Sequence, residues 1–249
     1  MEKRFGLSGT FLKWVGIITM LADHIGAVVL EPMLFRDQQP GLPLWETAVR
    51  ADFFLRCAGR LAMPLFCFLA AQGFVHTRNK RRYLFRMAAF ALVSEIPFDL
   101  AAGGKIVDLG GQNIFFSLFL GLAALYMGNR KIFFDPSRQA ISLGLWTAAC
   151  CIAAQVLQTD YTCLPVLLIV WFYWAGEQTA LKTAGAACLF FMLQDKRFLI
   201  PTLLSLPLTA LYNGRRGRIS HPLAFYWFYP VHLSALAALR QALLLNTGA

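Results

Sequence analysis

Long apolar runs separated by short polar connections make up almost the whole chain. A helix needs about 20 apolar residues to cross a bilayer, and only helices and closed barrels satisfy their backbone in lipid. The unbroken runs lack the alternation that is typical of a barrel. The pattern predicts an all-α, polytopic transmembrane bundle of about nine spans (eight to ten), at residues 11–30, 51–76, 82–102, 112–128, 140–157, 161–175, 180–193, 198–212 and 223–245. Spans six to eight are short, which leaves a re-entrant segment open among them.

Composition supports the same class. The 249 residues are 58% hydrophobic and 14% charged, with a mean hydropathy of +0.56. We therefore expect a multi-pass membrane protein, with the lipid bilayer as its partner. No repeat or low-complexity linker divides the sequence, so residues 1–249 are predicted to form a single domain. The six cysteines fall mostly in apolar runs without a CxxC pair, and we expect neither disulfides nor a metal site.

The net charge of +10 has a topological explanation. Basic residues cluster in alternate connections, whereas the intervening connections are neutral or mixed. By the positive-inside rule this pattern predicts a cytoplasmic N-terminus, and nine spans would leave the C-terminus outside. Nucleic acid is therefore not an expected partner. The basic connections contain Lys3, Arg4 and Lys13, then Arg78, Lys80, Arg81, Arg82 and Arg86, then Arg130, Lys131 and Arg138, then Arg215, Arg216 and Arg218.

The first apolar run carries Asp23 and His24 two-thirds of the way along it. Ionisable side chains at that depth cost on the order of 3 kcal/mol unless partnered or hydrated, so by default they indicate a functional site. Lys13 precedes His24 by eleven residues, which is three helical turns and roughly 16 Å. We expect both side chains on one side of the helix.

Other polar side chains are predicted at the depth of His24, in the outer half of the bundle. Two arginines in span two and two acids in span three are each spaced i,i+4, and two amides begin span four. The arginines and acids are expected to pair, either as a purely structural buried network or as part of a site. The residues are Arg56, Arg60, Glu95, Asp99, Gln112 and Asn113.

A second deep histidine, His232, follows an aromatic run and Pro230 in the last span. An aromatic belt explains the run and a kink explains the proline, but neither explains the histidine. The sequence contains no Walker A motif, dinucleotide fingerprint, HExxH or GxSxG, so nucleotide, zincin and hydrolase-elbow chemistry have no support.

Five segments resemble, in order, the TraX family of membrane proteins: LSGTFLKWVGIITMLADHIGAVV, RCAGRLAMPLFCFLAAQGFVHTRN, FALVSEIPFDLA, QNIFFSLFLGLAAL and FYWFYPVHL. They cover the first four spans and the last one. That family is named for a conjugative-plasmid protein associated with N-terminal acetylation of pilin. The resemblance implies a multi-pass protein of the bacterial cytoplasmic membrane. The family is similar in turn to the acyltransferase-3 group, which carries a basic residue, ten intervening residues and a histidine on its first helix. Lys13 and His24 fit that spacing, with lysine in place of the commoner arginine.

The resemblance implies an enzyme that takes an acetyl or other acyl group from acyl-CoA, here acetyl-CoA, and transfers it to an amine or hydroxyl of a protein, glycan or other envelope molecule. Histidine suits the general base of such a reaction, and His24 is our candidate. Asp23, Glu95 or Asp99 would orient the base, Arg56 or Arg60 would stabilise the oxyanion or bind an anionic acceptor, and His232 is a second acid/base or orienting candidate. Lys13, Arg81, Arg82 and Arg86 would bind the phosphates of CoA, and Gln112 and Asn113 the acceptor.

Two other functional classes stay open. A proton- or ion-coupled transporter would use Asp23, His24, Glu95 and Asp99 as a relay, although the sequence shows no inverted repeat. A non-catalytic assembly protein would need the buried charges only for folding.

Overall fold

The computed structural model describes residues 6–36, 42–129, 135–218 and 223–246. Within these ranges the regular structure is helical, apart from isolated β-bridges that join connecting segments. The all-α prediction is confirmed. The α-helices are α1 (Gly9–Ile25), α2 (Glu31–Arg36), α3 (Pro43–Gly59), α4 (Ala62–His76), α5 (Lys80–Gly103), α6 (Ile114–Gly128), α7 (Pro136–Val156), α8 (Leu164–Ala175), α9 (Thr179–Leu193), α10 (Leu199–Leu203), α11 (Ser205–Ala210) and α12 (Ala224–Asn246).

Every predicted span coincides with helix, but three spans differ clearly in extent. The first continues to Arg36, beyond its predicted end at residue 30. The second begins at Pro43, earlier than predicted, and the eighth is divided into α10 and α11. Among the described residues, four helical stretches are long and apolar enough to cross a membrane: Gly9–Arg36, Pro43–His76, Pro136–Val156 and Ala224–Leu245. Helices α6, α8 and α9 are apolar but shorter. The architecture is that of a helical membrane protein, and the count of nine crossings stays a prediction.

The first membrane stretch is helical throughout but changes its winding. Ser8 caps α1 by accepting a hydrogen bond from the backbone N–H of Phe11. A π-helical turn at Gly26–Leu30 then joins α1 to α2. In a π turn the backbone hydrogen bonds join residues five apart instead of four, and such turns occur often at functional sites. Here the π turn begins two residues after His24.

Helices α3 and α4 form one long stretch that is interrupted at Arg60 and Leu61. Pro64 explains the interruption, because proline has no N–H to donate to the carbonyl four residues earlier, that of Arg60. Beyond the break, α4 enters the centre of the bundle, where Leu65 and Phe68 have no solvent-exposed surface. The break therefore separates α3 from a helix that is mostly buried, apart from its exposed end at Val75 and His76.

The segment before α1 pairs with the connection that follows α11. Backbone N–H groups of Leu7, Gly9 and Thr10 donate to the carbonyls of residues 211, 215 and 216 at 2.8–2.9 Å. These bonds join parts of the chain more than 200 residues apart. They bring Arg216 beside the N-terminal end of α1.

Three of the four predicted cytoplasmic connections meet at one cavity, where Gly9, the segment His76–Arg78 and Arg216 are lining residues; Arg138, in the fourth, does not line it. Lys3, Arg4, Arg130 and Lys131, which contributed to that prediction, lie outside the described residues. The grouping agrees with the loop-charge pattern. The assignment of this basic end to the cytoplasm stays a prediction.

Candidate active site

A cavity of about 710 Å³ lies between α1, α4, α5, α6 and α12, at the basic end of the bundle. This volume falls in the range of roughly 300–1,000 Å³ that is typical of small-molecule sites. Four basic residues line it: Lys13, Arg78, Arg86 and Arg216. In the described part of the chain, no aspartate or glutamate lines it. A cleft with charges of one sign and apolar walls concentrates ligands of the opposite sign, so the cavity favours a polyanion.

Aromatic rings hold two of these cations in place. The Lys13 ammonium lies 5.5 Å from the centroid of the Phe225 ring. The Arg86 guanidinium lies 5.4 Å from the Tyr83 ring and 5.1 Å from the Tyr226 ring. Such cation–π contacts are worth about 0.5–2 kcal/mol each. Arg86 Nε is buried without a hydrogen-bond partner in the part of the chain that the structure describes, so this guanidinium retains donor capacity for an anion.

Two of the four predicted phosphate-binding residues lie elsewhere. Arg81 and Arg82 are exposed and do not line the cavity. Arg81 Nε donates to the Tyr126 hydroxyl at 2.8 Å, and the backbone N–H of Arg82 donates to Asn79, which caps α5. Lys13 and Arg86 line the cavity, and their binding of CoA phosphates stays a prediction. Arg216 was missed, because its place depends on the long-range pairing of the N-terminal segment.

A buried aromatic ring, that of Tyr229 on α12, lines the cavity and contacts both deep histidines. Tyr229 packs edge-on against Phe115, with ring centroids 5.2 Å apart, and both residues line the cavity. The same tyrosine ring lies edge-on to His24 at 5.8 Å and to His232 at 5.7 Å. One aromatic side chain therefore stands between the basic cavity and both deep histidines.

The two histidines, from α1 and α12, form a pair. His24 Nδ1 lies 2.6 Å from His232 Nε2, and the two rings stack with centroids 4.9 Å apart. His232 Nδ1 lies 2.6 Å from the backbone oxygen of Phe228, one helical turn earlier. Lys13 and His24 share one side of α1, as predicted, because each contacts α12: Lys13 at Phe225 and His24 at His232. The pairing of His24 with His232 was not predicted.

Asp23 points away from this pair, towards α3. Its carboxylate binds Arg56 Nη1 at 2.7 Å and Arg60 Nη2 at 3.2 Å. Arg56 Nε also binds Glu31 at 3.0 Å. Arg60 Nη1 donates to the Tyr161 hydroxyl at 2.9 Å. Consecutive residues on a helix diverge by about 100°, which is why Asp23 and His24 reach different neighbouring helices.

Glycine makes the approach of α3 to α1 possible. A Cβ atom at Gly59 would overlap the side chain of Asp23, and one at Gly26 would lie 2.7 Å from Asp52 Oδ1. Each position therefore admits a facing carboxylate that a larger residue would displace. The ion pairs of Asp23 depend on this close contact.

The expected pairing of Arg56 and Arg60 with Glu95 and Asp99 was wrong. Glu95 accepts a hydrogen bond from the side-chain amide of Asn113, and Asp99 Oδ2 accepts one from the backbone N–H of Asp108 at 2.8 Å. The reason is the packing of the helices: α5 packs against α6 and α12, whereas α3 packs against α1. The sequence did not indicate which helices are neighbours.

The two predicted acceptor-binding amides have structural contacts. Asn113 caps α6, since its Oδ1 accepts from the backbone N–H of Phe115 at 3.0 Å, and its Nδ2 donates to the Ala91 carbonyl at 2.8 Å. The backbone of Gln112 donates to the carbonyl of Gln158 and accepts from the N–H of Asp160. These bonds connect α6 to the segment between α7 and α8.

That segment contributes residues that sequence reasoning missed. Gln158, Tyr161 and Thr162 have positive φ angles of 49–58°, an unusual conformation for residues other than glycine. The turn carries Tyr161 to Arg60. Removal from water and the charge of Asp23 raise the pKa of Asp160 to about 6. The only signal in the sequence was an acid in a short connection.

Comparison with known proteins identifies the family of this chain. The family model of the TraX protein matches residues 8–240. A protein of Dichelobacter nodosus described as "Probable fimbrial assembly protein FimC, serogroup H1" is 27% identical over 266 residues, an alignment that covers 98% of this chain and 100% of the relative. No solved structure matches. Because the family model extends over nearly the whole chain, this protein belongs to the TraX family.

Proposed function

We propose that this protein is a membrane acyltransferase that moves an acetyl group from acetyl-CoA to an amine or hydroxyl acceptor. The observation that carries the proposal is the continuity between two sites. A cavity lined by cations, with no acid among its described lining residues, includes Tyr229 in its wall, and the same ring contacts His24 and His232. A polyanionic donor and a histidine base would meet at this ring.

The donor fits the cavity by charge and by reach. CoA carries phosphates at one end and the thioester at the other. Lys13, Arg78, Arg86 and Arg216 would bind the phosphates at the basic end. From Lys13 to His24 is roughly 16 Å along α1, comparable to an extended pantetheine arm. The thioester would then lie at Tyr229, and a side-chain movement of Tyr229 would expose it to His24.

The reaction needs one base and no covalent enzyme intermediate. His24 accepts the proton of the acceptor's amine or hydroxyl as the nitrogen or oxygen attacks the thioester carbonyl. Collapse of the tetrahedral intermediate breaks the C–S bond. The CoA thiolate then takes up the proton from His24. Acetylated acceptor and CoA are the products, and the base returns to its starting state.

We assign a structural role to the arginine cluster. Asp23 forms ion pairs with both Arg56 and Arg60, and Glu31 forms a second ion pair with Arg56. The two carboxylates balance the two guanidinium charges, so neither arginine is left to stabilise an oxyanion. A network of this kind is strongly destabilised when one partner is lost. It would keep α1 and α3 in register beside His24.

The acceptor would approach from the end of the bundle opposite the basic cavity. If the basic end faces the cytoplasm, as the positive-inside rule predicts, CoA enters from inside and the acceptor from the outer half of the cytoplasmic membrane. The fimbrial assembly function in the relative's name favours an envelope molecule, such as a protein N-terminus.

The transporter alternative loses its main support. A proton relay would link carboxylates to histidine, but Asp23 binds arginines, and Glu95 and Asp99 bond elsewhere. The donor site separates the remaining alternatives, because neither a transporter nor an assembly protein needs a CoA-binding cavity.

Acetyl-CoA binding to the purified protein in lipid nanodiscs tests the proposal. We expect Lys13→Gln and Arg216→Gln each to raise the Kd at least about tenfold, as expected for loss of a charge-assisted contact of 1.5–3 kcal/mol. Arg81→Gln is the matched control, since Arg81 has the same charge and lies outside the cavity. Equal weakening by all three variants would indicate nonspecific attraction, and no binding by the wild type would refute the proposal.

A further inference from the structure

The hydrogen bonds of His232 determine which nitrogen of each histidine carries a proton. The backbone oxygen of Phe228 can only accept, so His232 Nδ1, 2.6 Å away, must be the donor. A neutral imidazole has one N–H, so His232 Nε2 then holds a lone pair. His24 Nδ1, 2.6 Å from that nitrogen, must carry the proton that joins them.

This assignment requires His232 to be neutral, and its surroundings favour that state. In the described part of the chain, the groups that contact its ring are His24, the Phe228 carbonyl and the rings of Phe228 and Tyr229. None is a carboxylate that would stabilise an imidazolium. An unpaired charge at a site with 6% of its surface exposed would be costly.

The geometry points to His232 as a positioning residue that holds His24 in its Nδ1–H tautomer and so leaves His24 Nε2 as the proton-accepting atom. This inference rests on the proposed function for its catalytic meaning, but the tautomer itself does not. The bonds run in one direction, from His24 Nδ1–H to His232 Nε2 and from His232 Nδ1–H to the Phe228 oxygen. Without these bonds, the neutral His24 ring is free to carry its proton on Nε2. That nitrogen would then have no lone pair with which to accept a proton.

The same bonds stabilise the protonated form of His24. When His24 Nε2 accepts a proton from the acceptor, the ring becomes an imidazolium that still donates through Nδ1. Its partner His232 Nε2 is a neutral acceptor, and charge-assisted hydrogen bonds are stronger than neutral ones. His232 therefore supports the reaction without touching substrate, which is the part that a carboxylate plays for histidine in other acyl-transfer sites.

Two substitutions at position 232 separate positioning from packing. His232→Gln keeps a side-chain oxygen able to accept from His24 Nδ1, whereas His232→Leu fills the space without an acceptor. We expect His232→Leu to lower kcat at least about 100-fold with an unchanged Kd for acetyl-CoA, and His232→Gln to stay within about tenfold of wild type. Equal activity of the leucine variant and wild type would overturn the inference, as would a glutamine variant as inactive as leucine.

The tautomer can be read without turnover, by ¹⁵N NMR of histidine-labelled protein in nanodiscs, with His24 assigned from a His24→Asn variant. We expect a protonated Nδ1 and an unprotonated Nε2 on His24 in the wild type. A proton on His24 Nε2 would overturn the inference even if acyl transfer occurs. The expected tautomer in a protein that binds no acetyl-CoA would instead refute the proposed function alone.

Discussion

The ion pairs of Asp23 can be tested by a double-mutant cycle with Arg60. Both side chains are nearly buried, with 14% of Asp23 and 10% of Arg60 exposed. Removing one partner of a buried pair typically costs 3–5 kcal/mol. Because Asp23 keeps Arg56 when Arg60 is replaced, we expect the lower end, about 3 kcal/mol, for Arg60→Met. Methionine retains an unbranched chain to pack on Phe198, whose ring lies 4.4 Å from the guanidinium.

The cycle adds Asp23→Asn and the double variant. Since the two residues are in direct contact, we expect a coupling energy of about 1.5–3 kcal/mol. The assay is thermal unfolding in nanodiscs, where a loss of about 3 kcal/mol corresponds to roughly 6–12 °C in a chain of this size. Glu95→Gln provides the matched control. Among the contacts of the described residues it shares no hydrogen-bond partner with Arg60, so its coupling should stay within about 0.5 kcal/mol.

The two cycles distinguish the observed pairing from the one expected from sequence. Coupling of Arg60 to Glu95 as large as that to Asp23 would refute the reasoning. An Arg60→Met variant as stable as wild type would also refute it. That result would mean that the Arg60 guanidinium contacts water instead of Asp23 and Tyr161.

Three further predictions concern packing, pH and topology. Gly59→Ala should destabilise the folded protein by about 1–3 kcal/mol, because the added Cβ would overlap Asp23. Gly144→Ala, with no neighbour within 4 Å of its Cβ, should be neutral or slightly stabilising, and equal thermal shifts for the two variants would contradict the close contact. The raised pKa of Asp160 means that its folded form binds more protons, so wild-type stability should fall by up to about 3 kcal/mol as pH rises from 4 through 6, and Asp160→Asn should remove that fall. In sided vesicles, Arg81→Cys should react with a thiol reagent from the basic face, which the loop charges predict to be cytoplasmic, and Gln112→Cys from the other face. Reaction of both from one side would overturn the topology.

The presence of most helices was predictable, because it depends on local and compositional signals, whereas several of their ends were not. Apolar run length identified the helices, and loop charge grouped three connections that meet at the basic cavity. The eleven-residue spacing of Lys13 and His24 also placed both side chains correctly on one side of α1. Each of these features follows from helix geometry or from solvation in lipid.

The contacts between helices were not predictable in the same way. Hydropathy gives the depth of a residue but not the helix it faces, so Arg60 was paired with the acids of α5 when its partner is Asp23 on α1. His24 and His232 were both selected, yet nothing in a single sequence indicates that α1 and α12 are neighbours. Arg216 and Tyr161 depend on a connection folding back onto a helix, through the backbone bonds of the N-terminal segment and an unusual turn.

The most direct test of the acyltransferase proposal is transfer itself. Purified protein in lipid would be incubated with radiolabelled acetyl-CoA and a cell-envelope fraction, and both CoA release and label on the acceptor would be measured. We expect label on the acceptor with equimolar CoA release, and a loss of about 10²–10⁴-fold in His24→Ala with donor binding intact. Absence of transfer by the wild type, or more than about a tenth of its rate in His24→Ala, would contradict the account.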